Sequence, residues 1–162
     1  MSESVETHAI DCDEETFWRI YLSHEYGHGL FVDCLGFISA TIDTIGGDIT
    51  SRFERSVRTV CILDVPGPLK PLLGAKITAV EHGIYDAASR TYSYEIEDQR
   101  LKDKFEIAGW ISTTPRAGGG ISQNTRTVVK AKVPFVGGAL ERYFMRENAR
   151  FWRESTEFTV IV

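Results

Sequence analysis

The sequence has no apolar run approaching the ~20 residues that a membrane-spanning helix requires. Its first residues, Met-Ser-Glu-Ser-Val-Glu, are acidic and polar, unlike a secretory signal. Positive charge is in deficit: 18 Lys and Arg stand against 23 Asp and Glu, for a net charge of −5. That balance excludes the broad basic surface that binds nucleic acid, though not a local basic strip. Cysteine is scarce. Cys12, Cys34 and Cys61 are odd in number and widely spaced, with no Cys-x-x-Cys pair. They read as reduced thiols of a cytosolic protein, so a cytoplasmic location is expected and no disulfide framework. No serine-centred elbow occurs. Gly118-Gly119-Gly120 lacks the following lysine of a phosphate loop and reads as a hairpin.

What is present suits one domain over residues 1–162. A chain of this length buries roughly 70% of its unfolded surface and needs no metal or cofactor to fold. A first strand is expected over 3–10, through Val5, Thr7 and Ile10. Asp11 and Asp13 offer N-caps for a helix over 13–22, and a second helix is expected over 25–35, closed by Gly36. The period then changes. Strands are expected over 37–45 and 49–63, joined at Gly46-Gly47-Asp48. Phe53, Val57, Thr59 and Cys61 share one face of the second, with Arg52, Glu54 and Arg58 on the other. The connector 65–74 carries three prolines, which block sheet pairing, yet it is apolar. It is either a lid or a loop packed on the end of the sheet. Further strands are expected over 75–85, 90–97, 104–114 and 121–133. Val136-Gly137-Gly138 leads into a long amphipathic helix, from about 138 to 157, with its stripe in Ala139, Leu140, Tyr143, Phe144, Phe151 and Trp152.

Hairpin-length connections make neighbouring strands adjacent and antiparallel. The fold class is therefore α+β: a curved seven-stranded antiparallel sheet around a C-terminal helix, with two short helices between strands 1 and 2. One helix is too thin to fill the hollow of so broad a sheet, and a space is expected between them. Its expected lining is Phe53, Arg55, Val57, His82, Phe105, Ile107, Trp110, Val129, Tyr143, Phe144 and Phe151. Arg55 shares the parity of Phe53 and Val57 and points inward unless a bulge shifts the register. A buried arginine needs a carboxylate or a ligand anion, and Glu95 and Glu106 are candidates. Glu81 and His82 lie on opposite faces, so one of them points inward. The hydroxyls of Tyr94 and Tyr143 are candidates to fix a ligand.

On Val133-Pro134-Phe135-Val136-Gly137-Gly138-Ala139-Leu140-Glu141, on Pro71-Leu72-Leu73-Gly74 and on the aromatic pair after Asp13 and Glu14, the chain resembles the START-like helix-grip superfamily. The first segment is similar to the strand-to-last-helix junction of several uncharacterised bacterial members. The superfamily includes the major birch pollen allergen, lipid-transfer START domains and polyketide cyclases. The resemblance implies a hydrophobic small molecule, lipid-like in character, as the partner. It leaves room for transient membrane contact and implies nothing about oligomeric state. An enzyme on the same fold, a cyclase, aromatase or hydrolase using Arg55, Glu106 and His82, is the alternative.

One string competes. His24-Glu25-Tyr26-Gly27-His28 matches the zinc-peptidase pattern, in which two histidines four apart hold Zn²⁺ beside a general base. Asp33, Cys34 and His82 are the candidate third ligands. Gly27 weakens the helix, and the remaining strands offer no second domain to frame a peptide cleft. A solvated histidine pair is the plainer expectation.

Overall fold

The computed structural model describes residues 1–161, without the side chains of residues 99, 160 and 161. Val162, the last residue of the expected domain, lies outside them. Seven strands form one antiparallel sheet: β1 (Ser2–Ile10), β2 (Ser39–Gly47), β3 (Arg52–Ile62), β4 (Lys76–Asp86), β5 (Thr91–Glu97), β6 (Phe105–Pro115) and β7 (Ile121–Ala131). Their spatial order is β1-β7-β6-β5-β4-β3-β2. The hairpin chain from β2 to β7 is thus preserved in space, and β1 closes on β7.

The two helices between β1 and β2 start where short polar side chains can cap them. The Asp13 carboxylate accepts a hydrogen bond from Thr16 N at 2.7 Å and opens α1 (Glu14–Tyr21). Ser23 does the same for Tyr26 N at 3.2 Å and opens α2 (His24–His28). The expected single helix over 25–35 is a compound element. After His28 the backbone widens into a π-helical turn, Gly29–Cys34, and Gly36 at φ 73° stops it.

The proline-rich connector is helical rather than extended. Pro68 lies in a 3-10 turn (Gly67–Leu69), and Pro71 sits in the first turn of α3 (Lys70–Leu73), where a missing N–H costs nothing. Val65, Leu69 and Leu73 are buried, so the connector is packed against the end of the sheet.

The last helix, α4 (Gly137–Ile161), has 25 residues and reaches about 37 Å at the α-helical rise. It packs on β7, β1 and the π-helical turn. Two clusters of buried side chains hold it. Leu140 and Tyr143 join the connector, Leu101, Phe105 and Val129 at one end. Trp152 joins Phe17, Trp18, Tyr21 and Tyr26 of α1 and α2 at the other. Glu141 locks the first turns to the sheet by accepting from Ala131 N at 3.1 Å and from Ser2 Oγ at 2.8 Å.

Candidate functional site

Between the two clusters the inner face of the sheet and α4 stand apart, leaving a cavity of ≈ 200 Å³. Its floor comes from alternate residues of neighbouring strands. These include Arg55, Val57 and Cys61 on β3, Ala79 and Glu81 on β4, Tyr94 and Ile96 on β5, Ile107 on β6 and Val129 on β7. Its roof is Phe144, Asn148, Phe151 and Trp152 on α4. The mouth lies where α4 faces the π-helical turn. There Arg150 is exposed, Glu147, Glu154, Phe31 and Phe37 are half-buried, and the Phe31 and Phe151 rings stack at 6.1 Å.

One row of the sheet explains the floor. Arg55, Gly83, Tyr94, Gly109 and Thr127 are register partners across β3 to β7. The two glycines leave the backbone bare, and a tyrosine of β5 lies over each. A Cβ on Gly83 would collide with the Tyr92 hydroxyl end, and one on Gly109 with Tyr94 and the Arg126 carbonyl. Tyr92 thereby crosses β4, where its hydroxyl accepts from Arg55 Nε at 3.0 Å and donates to Glu81 Oε2 at 2.6 Å. Tyr94 crosses β6, and its hydroxyl is 3.0 Å from Thr127 Oγ1.

Arg55 is the charged centre. It is only 5% exposed, and its guanidinium carbon lies 5.0 Å from the Tyr92 ring centre and 5.7 Å from that of Tyr21. Its Nη1 donates to the Tyr21 carbonyl at 3.5 Å. Nη2 stands 3.8 Å from Glu81 Oε2, an ion pair too long for a direct hydrogen bond. Burial works against the charge, but Tyr92, Glu81 and Tyr21 outweigh it and hold the Arg55 pKa above its usual value. Burial also pushes Tyr92 and Tyr94 up, keeping both phenols neutral. Two further donors lack partners among the described residues. Asn148 Nδ2 and Trp152 Nε1 are buried on cavity-lining residues four apart, on one face of α4.

Of the residues singled out from sequence, Arg55, Val57, Ile107, Val129, Phe144 and Phe151 line the cavity. Phe53, Phe105 and Tyr143 are buried in the end clusters instead. Tyr143 carries a buried hydroxyl without a partner among the described residues, and burial pushes its pKa up to about 12. Trp110 leaves the set, because Phe105, Ile107 and Ile111 have inward parity and Trp110 pairs with Ser93 and Arg126 on the outer face. His82 likewise points outward and is exposed, which makes Glu81 the inward member of that pair. Glu95 and Glu106 are exposed on the outer face, so Glu81 is the partner of Arg55. Sequence reasoning missed Tyr92 and the glycines. A glycine inside a strand was the available signal, since it marks a close approach.

Of the histidine string, Tyr26 and Gly27 are buried and line the cavity, whereas the two histidines do not. His24 and His28 are exposed, and His24 Nε2 is 3.3 Å from Thr44 Oγ1. Among the described residues no group of three His, Cys, Asp or Glu side chains is placed to hold a metal ion.

With this geometry in hand the chain can be set beside known proteins. One family pattern, described as "Protein of unknown function (DUF2505)", matches residues 6–160. The chain belongs to that family. No curated protein matches this family member. Among solved structures it is similar to TTHA0849 from Thermus thermophilus, at 17% identity and a TM-score of 0.68, over 99% of this chain and 98% of the other. It is similar to the ZhuI aromatase/cyclase from Streptomyces sp. R1128, at 9% identity and 0.64, over 98% and 91%. It is similar to Ara h 8.0201, at 11% and 0.64, over 99% of both chains. At these identities the likeness is one of fold, the START-like helix-grip fold.

Proposed function

We propose that the protein binds a compact, mostly apolar small molecule that carries an acceptor oxygen. The carrying observation is the cavity wall. It is largely aliphatic and aromatic, yet Arg55 brings a guanidinium to the floor, and two roof residues, Asn148 and Trp152, carry buried N–H groups without partners among the described residues. A buried donor without a partner costs about 1–3 kcal/mol, and a carbonyl, phenolate or carboxylate oxygen of a ligand would relieve that. Size supports a ring-sized or short-chain ligand rather than a long acyl chain. About 150 Å³ of apolar cavity accommodates benzene, against ≈ 200 Å³ here.

Holding fits this arrangement better than proton transfer. Tyr92 donates to Glu81 and has a raised pKa, so it is a poor base near neutral pH. Glu106 and His82, which an enzyme reading would pair with Arg55, lie on the other side of the sheet. The aromatase/cyclase among the similar structures keeps that reading as the alternative.

The test is a panel of aromatic and short aliphatic compounds, each with and without a carboxylate, followed by calorimetry. Oxygen-bearing members should bind, Arg55→Met should weaken them at least about tenfold, and Ala79→Phe should abolish binding by filling the cavity. Equal affinity for the oxygen-free compounds, or indifference to Ala79→Phe, would refute the proposal.

A further inference from the structure

All six lysines of this acidic chain lie at one end of the molecule. They are Lys70, Lys76, Lys102, Lys104, Lys130 and Lys132. The sheet register puts them there. Lys76 opens β4 opposite Ile62, the end of β3, and Lys130 pairs with Glu106 at the start of β6. The backbone N–H of Lys132 donates to the Lys104 carbonyl at 2.6 Å. The connector bearing Lys70 touches the same end, since a Cβ on Gly74 would lie 3.3 Å from Arg100 Nη1. All six side chains are exposed, as is Arg142. Asp64, Glu97, Asp98, Asp103 and Glu106 are interspersed, but Asp98 is tied to Arg100 at 3.0 Å, and the end stays net positive.

At the same end Phe135 projects from the β7–α4 junction. It is 105% exposed and sits at φ 70°. Positive φ is unfavourable for a bulky side chain, and an exposed ring gains nothing from folding in return. Ile62, 67% exposed, adds a second apolar side chain to this end. An aromatic tip among lysines matches the boundary of an anionic bilayer, where the ring enters the headgroup layer and ammonium groups meet lipid phosphates.

We propose that this end docks the protein on anionic lipid membranes, with Phe135 inserted and the lysines as its electrostatic collar. This surface does not depend on what the cavity holds.

The experiment is cosedimentation with phosphatidylcholine vesicles, alone and doped with phosphatidylglycerol. Doped vesicles should bind the protein at least about tenfold better, and added salt should release it. Joint Lys102→Glu, Lys104→Glu and Lys132→Glu replacement should abolish binding, whereas Arg116→Glu, in the β6–β7 turn at the opposite end, should leave it unchanged. Phe135→Gly is decisive, because glycine suits the backbone. It should melt no lower than the parent yet bind vesicles about fivefold or more weakly. Phe135→Trp should show blue-shifted emission on doped vesicles. Equal binding to both vesicle types, or to neither, would overturn the proposal. So would full binding by Phe135→Gly, and equal affinity for polyglutamate would mark instead a surface for acidic proteins.

Discussion

Tyr92 lies across the bare backbone of Gly83, and that contact delivers its hydroxyl to Arg55 on the far side of β4. Gly83→Ala should therefore displace the ring and unpair the guanidinium. A loss of about 2–3 kcal/mol is expected in denaturant unfolding, as for overpacked cores. Joining Gly83→Ala to Tyr92→Leu should recover part of it. Full additivity of the two would show that ring and glycine are independent.

Breaking the ion pair from one side should cost more than removing it whole. Arg55→Met alone leaves Glu81, still held by the Tyr92 hydroxyl, without its counter-charge, and about 3–5 kcal/mol of destabilisation is expected. Arg55→Met with Glu81→Leu should be markedly more stable than either single variant. Thermal melts of the three proteins check the order.

Acid should loosen the α4 anchor. The Glu141 pKa is lowered, first by a hydrogen bond from the Met1 amino group and then by Ser2, with Ala131 N also contributing. A folded value below the unfolded one gives stability that is present above the ordinary carboxylate range. That stability is lost as pH falls through the folded value. The melting difference between parent and Glu141→Gln should thus be widest near neutrality and vanish in acid. The buried tyrosines behave oppositely. Burial raises Tyr21, Tyr92 and Tyr94, so their contribution is complete below the usual phenol range and fades as pH rises through the folded values. Absorbance titration should show these phenols ionising only with alkaline unfolding.

The thiols give a direct report on the cavity. Cys61 lines it, is buried, and has its pKa pushed up to about 11, chiefly by burial. Cys34 is exposed at the π-helical turn. A thiol reagent should modify Cys34 first and Cys61 slowly, and a bound ligand should slow Cys61 further. Cys12 is half-buried, so replacing Cys12 and Cys34 together by Ser isolates the Cys61 rate.

Much of the architecture was legible because hairpins and residue parity are local. Turn residues at 46–48 and 118–120 set the strand order, and the alternation of Phe53, Arg55 and Val57 turns Arg55 inward only where no bulge shifts the register. What escaped depends on register between strands. Parity says that Glu81 and His82 oppose each other, but only pairing with β3 and β5 says which is inside. Trp110 sits among apolar neighbours in sequence, although its parity differs from that of Phe105 and Ile107. The Tyr92–Gly83 contact joins strands through a diagonal that no single segment displays. The π-helical turn and the helical connector were missed because local pattern indicates where an element stops more clearly than how its backbone winds.

Because α4 is fastened by separate clusters near each extremity, it behaves as a beam resting on two supports. Lifting it to admit a guest would unseat Leu140 and Tyr143 or Trp152, each deep in well-packed surroundings. Traffic should instead use the lateral window at Phe31, Phe37 and Phe151, where swivelling rings need displace no backbone. Guest exchange would then be as fast as those rings can turn, and largely indifferent to how tightly the beam is bolted down.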